Sequence, residues 1–358
     1  MAKTVIPFGP QHPVLPEPIQ LKLVMEDEKV VEALPAIGYV HRGLEKMAEL
    51  KDFNQTVYIV ERVCGICSFM HSMAYVRGIE DIMNIQIPER AEFLRVIWAE
   101  IGRLQSHFLW LGLLADAFGF ESLFMETWKY REKILDLMEM TTGNRVIISA
   151  NRVGGTTKDI TPDQTKIILD TVDTLEMQMK DVEKVFFDNY TVKQRLVGVG
   201  ILTTQDAVEY AVVGPMMRAS GIKYDLRATG YSAYKHLDFE PVVETAGDSY
   251  ARCVVRVKEI YQSFDLIRQA ISKLPAGDIA VPVKGFPKGE AISRLEQPRG
   301  EAIYYVKANG TKNLERLKIR TPTFANIPSL LKMLPGSKLQ DVPILVLTID
   351  PCISCTER

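Results

Sequence analysis

Cysteine is scarce in this sequence, with five residues among 358. An odd and small set spread over so long a chain excludes the disulfide framework of a small secreted domain. Long apolar runs are missing as well. The nearest candidate, Phe108 to Leu114, ends at Asp116, far short of the about 18 apolar residues a spanning helix needs. Met1 to Pro10 lacks the basic and apolar regions of a signal peptide. These absences predict an intracellular, soluble chain, with any membrane attachment made through other subunits. An excess of one charge is also lacking. A formal net charge of −2 offers no basic face for nucleic acid, while leaving room for a local charged patch toward a protein partner. No internal repeat, low-complexity tract or linker interrupts the sequence, which predicts a single domain over 1–358.

What is present suits a large core, since hydrophobic residues make up 47% and charged residues 25%. The predicted fold class is α+β, with a mostly helical core and small β-hairpins near the N-terminus and in the C-terminal third. Residues 5–18 are rich in proline and predict an extended, irregular opening segment. Ile19, Leu21, Leu23 and Met25 alternate as a half-buried strand does, and Val30 to Leu34 reads as the returning strand. Helical patterning begins near Tyr39. Further helices are predicted from the first cysteine pair to Arg77, over Glu92 to Ala117, and over Glu121 to Met140, ended by Gly143. Another runs from Pro162 to about Phe187. Short helices mix with turns over 191–238, and a long helix is predicted from Phe239 to Leu274. A loop over 275–300 follows. Asn309-Gly310 signals a hairpin between Ile303–Val306 and Leu314–Ile319, and Thr321 to Leu334 reads as helical.

Four of the five cysteines fall into two C-x-x-C pairs at opposite ends of the sequence. Arg62-Val63-Cys64-Gly65-Ile66-Cys67 carries the first, with His71 four residues on. Asp350-Pro351-Cys352-Ile353-Ser354-Cys355 carries the second. Such a pair points two sulfurs at one centre, and a bound metal keeps them as thiolates. Zinc ribbons place their second pair about 15–20 residues after the first. A site joining these two pairs would instead be assembled by the finished fold. Structural zinc is the general reading of four thiolates, and unliganded core cysteines are a further alternative. Cys253 stands alone in a helical pattern and reads as core.

The flanking residues carry a resemblance. R-V-C-G-I-C-S-F-M-H at 62–71 and D-P-C-I-S-C-T-E-R at 350–358 resemble the two signature motifs of the large subunit of nickel–iron hydrogenases, and the likeness covers nearly the whole chain. Within that family the chain looks most like the membrane-associated, energy-converting (Ech-type) branch, which is similar to the 49 kDa quinone-site subunit of respiratory complex I. G-P-Q-H-P at 9–13, H-R-G-L-E-K at 41–46, S-H-F-L-W-L-G at 106–112 and R-V-G-G at 152–155 are the shared stretches. The complex I subunit has generally lost the four cysteines, which this sequence keeps.

The resemblance implies roles. Cys64 and Cys352 would be terminal ligands of nickel. Cys67 and Cys355 would bridge it to an iron, in a centre of composition Ni-Fe(CN)2(CO). His71 would donate a hydrogen bond to a bridging sulfur, where the plain reading is a core histidine. Glu45 would relay protons from the Cys352 side, where the plain reading is an exposed helix glutamate. Arg299 would hang its guanidinium over the metals, oriented by Asp116 and Asp350; alone, it reads as a solvated loop arginine. His12, in the stretch that lines the quinone cavity of complex I, and His107 have weaker claims. Many family members carry a histidine at the position of Arg358, where it binds magnesium. Arginine stays protonated, which counts against a magnesium site here. The stop at Arg358 fits removal of a C-terminal extension after metal insertion. With four of the five cysteines spoken for, too few remain to hold an iron–sulfur cluster in this chain. The implied partners are therefore a small subunit carrying a 4Fe–4S cluster, ferredoxin as the outside donor, and membrane subunits that move ions. The implied location is the cytoplasmic side of the cell membrane. The competing readings are a metal-free, complex I-like quinone-site subunit and a scaffold with structural zinc.

Overall fold

A computed structural model describes residues 3–358. At the N-terminus, β1 (Thr4–Phe8), β2 (Gln20–Glu26) and β3 (Lys29–Ala36) form an antiparallel sheet in that order. The alternating Ile19, Leu21, Leu23 and Met25 are all buried on one face. The start of the segment expected to be irregular is thus strand β1. It is an edge strand, where a sheet tolerates Pro7.

Helical structure begins later than Tyr39. Two short helices, α1 (Leu44–Glu49) and α2 (Thr56–Glu61), precede the first cysteine pair, and α3 (Ser68–Met83) follows it. Pro88 caps α4 (Glu89–Ala117), a helix of 29 residues buried on almost every side. Its buried side chains include Arg95, Glu100, Arg103 and His107. Next comes α5 (Glu121–Thr142), closed by Gly143 in the left-handed region at φ 89°. A minimal hairpin of β4 (Asn151–Arg152) and β5 (Gly155–Thr156) leads to α6 (Pro162–Asp188). Thr161 and Gln164 close a capping box at its start, worth about 1 kcal/mol. Three short helices follow: α7 (Tyr190–Leu196), α8 (Thr204–Glu209) and α9 (Pro215–Arg218).

The long helix expected from Phe239 is α10, and it begins only at Ser249, ending at Ser272. Pro241 and Gly247 lie before that start, and Asp248 caps it, accepting from Ala251 N–H at 2.8 Å. The loop expected over 275–300 is also corrected. Its second half is strand β6 (Lys288–Gln297), which pairs with β7 (Gly300–Asn309), itself paired with β8 (Leu314–Arg320). Only Pro298 and Arg299 remain at the β6–β7 turn. Finally, α11 (Pro322–Met333), α12 (Val342–Thr348) and α13 (Ile353–Glu357) carry the chain to the second cysteine pair.

The centre of the molecule is α4, against which α5, α10 and α12 pack, while α3 lies across β6 and β7. The observed architecture is α+β with a helical core. No helix among the described residues is long and apolar enough to cross a membrane.

Candidate metal centre

Each cysteine pair sits where a loop enters a helix. Cys67 is the N-cap of α3 and Cys352 the N-cap of α13. In both pairs the second residue's N–H donates to the first sulfur, at 3.5 Å for Cys67 to Cys64 and 3.4 Å for Cys355 to Cys352. Local geometry thus aims each pair, and the fold brings the pairs face to face. Cys64 Sγ lies 3.2 Å from Cys352 Sγ, and Cys67 Sγ lies 3.6 Å from Cys355 Sγ. These gaps are far beyond a disulfide bond, about 2.05 Å. They approach the roughly 3.7 Å between sulfurs that share one tetrahedral ion with bonds of about 2.3 Å.

All four sulfurs are buried. Hydrogen bonds from Cys352, Cys355 and Cys67 draw the Cys64 thiol well below the usual range, while burial pushes Cys67 and Cys355 well above it. Four thiolates cannot crowd together in a dry pocket without a cation. A soft metal is the group this donor set fits.

Two neighbours fix the surroundings of the sulfurs. His71 Nε2 is 3.3 Å from Cys355 Sγ, and His71 Nδ1 is 2.6 Å from Tyr304 Oη. Burial lowers the imidazole pKa to about 4 and pushes the Tyr304 phenol far up. At neutral pH the phenol therefore donates to Nδ1, which leaves the ring proton on Nε2, aimed at the sulfur. Arg299 stands at the β6–β7 turn, 5% exposed. Its Nε donates to the Asp350 carbonyl at 3.0 Å and lies 2.9 Å from Asp350 Oδ1 as an ion pair, while Nη1 has no partner. Asp350 itself takes a left-handed φ of 55°, a strain of about 1 kcal/mol. Its other oxygen faces Arg256 Nε at 3.7 Å, and the Arg256 guanidinium lies 4.1 Å over the Trp110 ring. Glycine is required at the turn. A Cβ on Gly300 would come within 2.9 Å of Gly214 Cα, and one on Gly214 within 2.4 Å of the Arg299 carbonyl oxygen.

A cavity of about 470 Å³ opens beside the sulfurs. Cys64, Cys352 and Arg299 line it, with Trp110, Leu347 and Glu17 among its walls. Glu17 Oε2 accepts from Ser354 N–H at 2.7 Å, and Oε1 accepts from Ser354 Oγ.

A family model described as "Nickel-dependent hydrogenase" matches residues 42–116. One described as "Respiratory-chain NADH dehydrogenase, 49 Kd subunit" matches 117–286 and 281–358. The carbon monoxide-induced hydrogenase of Rhodospirillum rubrum is 40% identical, over 100% of each chain. The membrane-bound hydrogenase subunit alpha of Pyrococcus furiosus is 37% identical, over 99% of this chain and 87% of that one. An NADH-quinone oxidoreductase subunit of Protochlamydia amoebophila is 34% identical, over 98% and 94%. The chain belongs to the family that joins nickel-dependent hydrogenases to the 49 kDa subunit of NADH dehydrogenase. Among solved structures, a chain of a membrane-bound sulfane sulfur reductase, an archaeal respiratory membrane complex, superposes with a TM-score of 0.96 at 31% identity, covering 99% of this chain and 98% of that chain.

In this hydrogenase-family chain the remaining candidates fall in different places. Asp350 alone holds Arg299. Asp116, expected as its companion, is exposed in the last turn of α4 and makes no contact with Arg299, and Arg256 stands on the far side of Asp350 instead. At the solvent end of a helix that carboxylate stays hydrated. Glu45 is tied elsewhere too. It accepts from Ile319 N–H at 3.0 Å, Lys318 Nζ at 3.1 Å and Arg358 Nε at 3.1 Å. Burial pushes its carboxyl up, but those three donors hold it below the usual range. The carboxylate on the Cys352 side is Glu17, which sequence reasoning passed over. The signal was its being the sole acid in the proline-rich stretch 5–18. Tyr304 was missed as well, since one tyrosine within a predicted strand carries no signal. His12 stacks on Phe8 at 4.1 Å and accepts from Val14 N–H.

His107 belongs to a second buried region. It bonds Glu259 at 2.8 Å, and Glu259 bonds Arg218 at 2.8 Å. Arg218 also bonds Glu296 at 2.8 Å and Asp225 at 3.2 Å. Asp225 bonds Arg227 at 2.8 Å, and Arg227 reaches Glu100 at 3.3 Å. Glu100 also takes Arg103, Ser263 and Tyr234.

Proposed function

We propose that this chain is the catalytic large subunit of an energy-converting nickel–iron hydrogenase, which reversibly reduces protons to dihydrogen with electrons from ferredoxin. One observation carries the reading: four cysteine sulfurs from opposite ends of the sequence meet in a buried pocket beside a cavity that Arg299 helps to line. Cys64, Cys67, Cys352 and Cys355 would together hold the nickel–iron pair. A nickel–iron pair bound there would polarise dihydrogen, which is otherwise a very weak acid. The chain's own residues do the rest. His71 steadies the Cys355 sulfur through its Nε2 proton. Asp350 holds Arg299 at the cavity wall, with Nη1 buried and without a hydrogen-bond partner. Glu17, which lines the same cavity as Arg299 and Cys352, is the base that takes a proton from the Cys352 side and passes it outward past Ser354. Trp110 and Leu347 give the cavity apolar walls suited to a small uncharged substrate.

The electron partner is an iron–sulfur subunit, as expected of a chain with one spare cysteine. The relatives' membrane complexes support attachment through membrane subunits; in our reading the chain sits peripherally on the cytoplasmic side, and those subunits would couple turnover to ion movement. The match of 117–358 to the 49 kDa subunit favours a second reading, a metal-free quinone-site subunit. Metal analysis of the purified complex decides between them: one nickel per chain is expected, with one iron beyond the four of each partner 4Fe–4S cluster, and one zinc or no nickel overturns the proposal. Infrared bands of metal-bound cyanide and carbon monoxide would add the ligand set.

A further inference from the structure

The magnesium that the family associates with position 358 does not fit this chain. Glu45 is the carboxylate that meets the Arg358 side chain, and both its oxygens are taken. Oε1 accepts from Arg358 Nε and Ile319 N–H, and Oε2 from Lys318 Nζ, with Arg316 Nη2 at 3.7 Å. Three side-chain cations and an amide surround one carboxylate that is 15% exposed. Magnesium demands a near-octahedral set of about six oxygens, and a second positive ion here would meet only repulsion.

The same cation is built into a clamp on the second cysteine pair. Arg358 Nη1 donates to the Thr356 carbonyl at 2.9 Å, and its guanidinium lies 5.2 Å over the Phe324 ring of α11. Val40 N–H donates to Glu357 Oε2 at 2.5 Å, and His41 Nδ1–H donates to the Glu357 carbonyl at 2.6 Å. Arg42 donates to the Ser354 carbonyl at 3.3 Å, and Thr321 Oγ1 to the Cys355 carbonyl at 2.9 Å. The clamp is needed because α13 has only five residues, too few to hold a helix without tertiary contacts.

We propose that Arg358 is an internal cation that stands in for a divalent metal and, paired with Glu45, latches residues 352–358 so that Cys352 and Cys355 face Cys64 and Cys67. Arg358 and Glu45 are positioning residues, and the latch operates whichever metal the sulfurs hold. A guanidinium fits this task because its charge is permanent, its planar nitrogens reach the carboxylate and a carbonyl together, and no chelator removes it.

The test uses the purified complex. Its magnesium and calcium are measured by mass spectrometry before and after long dialysis against EDTA, alongside the rate of limited proteolysis within 350–358. The expected result is neither ion at stoichiometric level, and a cleavage rate that EDTA leaves unchanged. Stoichiometric magnesium whose removal loosens the segment overturns the proposal. Arg358→Ala should speed cleavage about tenfold, the scale of one lost hydrogen bond to a charged group, and Arg358→Lys should recover part of that. Glu45→Gln should speed it less, since the amide still accepts from Arg358. Cleavage as slow in Arg358→Ala as in the parent also overturns it.

Discussion

Two buried polar regions of this protein can be set side by side. In the network around Arg218, every carboxylate oxygen of Glu100, Asp225, Glu259 and Glu296 has a donor, from Arg103, Arg218, Arg227, His107, Tyr234 and the Leu226 amide among others. In the thiol pocket, by contrast, Arg299 Nη1 and Asp350 Oδ2 are left over, and the sulfurs have mostly one another for partners. A buried charge without a partner is costly. A region in which every carboxylate is matched by cations, with only Arg218 Nη2 and His107 Nδ1 short of a hydrogen bond, reads as structure, holding α4, α9, α10 and β6 together. A region that gathers four sulfurs against one another with no cation between them reads as a socket for something else. Both are equally dry, so burial alone would not tell them apart.

The comparison can be broken most sharply at the sulfurs. Cys352→Ser should abolish hydrogen evolution and nickel binding while the network keeps the fold; full activity with normal metal content would remove Cys352 from the ligand set. The opposite experiment is Arg218→Ala, which strands Glu259 and Glu296. It should destabilise the protein by about 3–5 kcal/mol in urea melts, with nickel content per folded chain unchanged.

Glu296 sharpens the contrast through pH. Burial and the neighbouring Asp225 charge push its carboxyl up to about 7. The groups facing it are Arg103, Arg218 and Asp225. A carboxyl raised in the folded state contributes its stability fully below the ordinary value of 4.5, and that contribution is lost as pH rises through about 7. Relative to Glu296→Gln, the parent should lose on the order of 3 kcal/mol between about pH 4.5 and 8. Parallel curves for the two proteins would show that this carboxyl does not titrate there. The smallest effect belongs to the carboxylates near the sulfurs. Glu17→Gln should slow isotope exchange between dihydrogen and water by about a hundredfold with nickel in place, whereas Glu45→Gln should leave the exchange near the parental rate. The reverse ranking would return the proton route to Glu45.

Particular residues mark how far the sequence could be read. The alternation of Ile19 to Met25, the Asn309-Gly310 turn, the Pro162 helix start and Gly143 are local signals, and the elements they announce are present. Strand β6 was hidden because the glycines and prolines before it resemble a loop, and its partner β7 supplies the ladder from outside. Asp116 was placed beside Arg299 by likeness to a motif, which carries identity along the chain but not the direction a side chain faces after folding. Glu17 gave the opposite error, an unremarkable acid that becomes a cavity wall only when Ser354 arrives beside it.

Taken alone, the order of residues determined the helices and hairpins, the two C-x-x-C turns and the aim of each sulfur pair, because backbone hydrogen bonds and capping act over a few residues. The tertiary structure decided that the pairs face each other, that Asp350 rather than Asp116 grips Arg299, and that Arg358 neutralises Glu45. Those contacts join residues up to 313 positions apart. Only the packing of a shared core can hold such distant groups within hydrogen-bond reach.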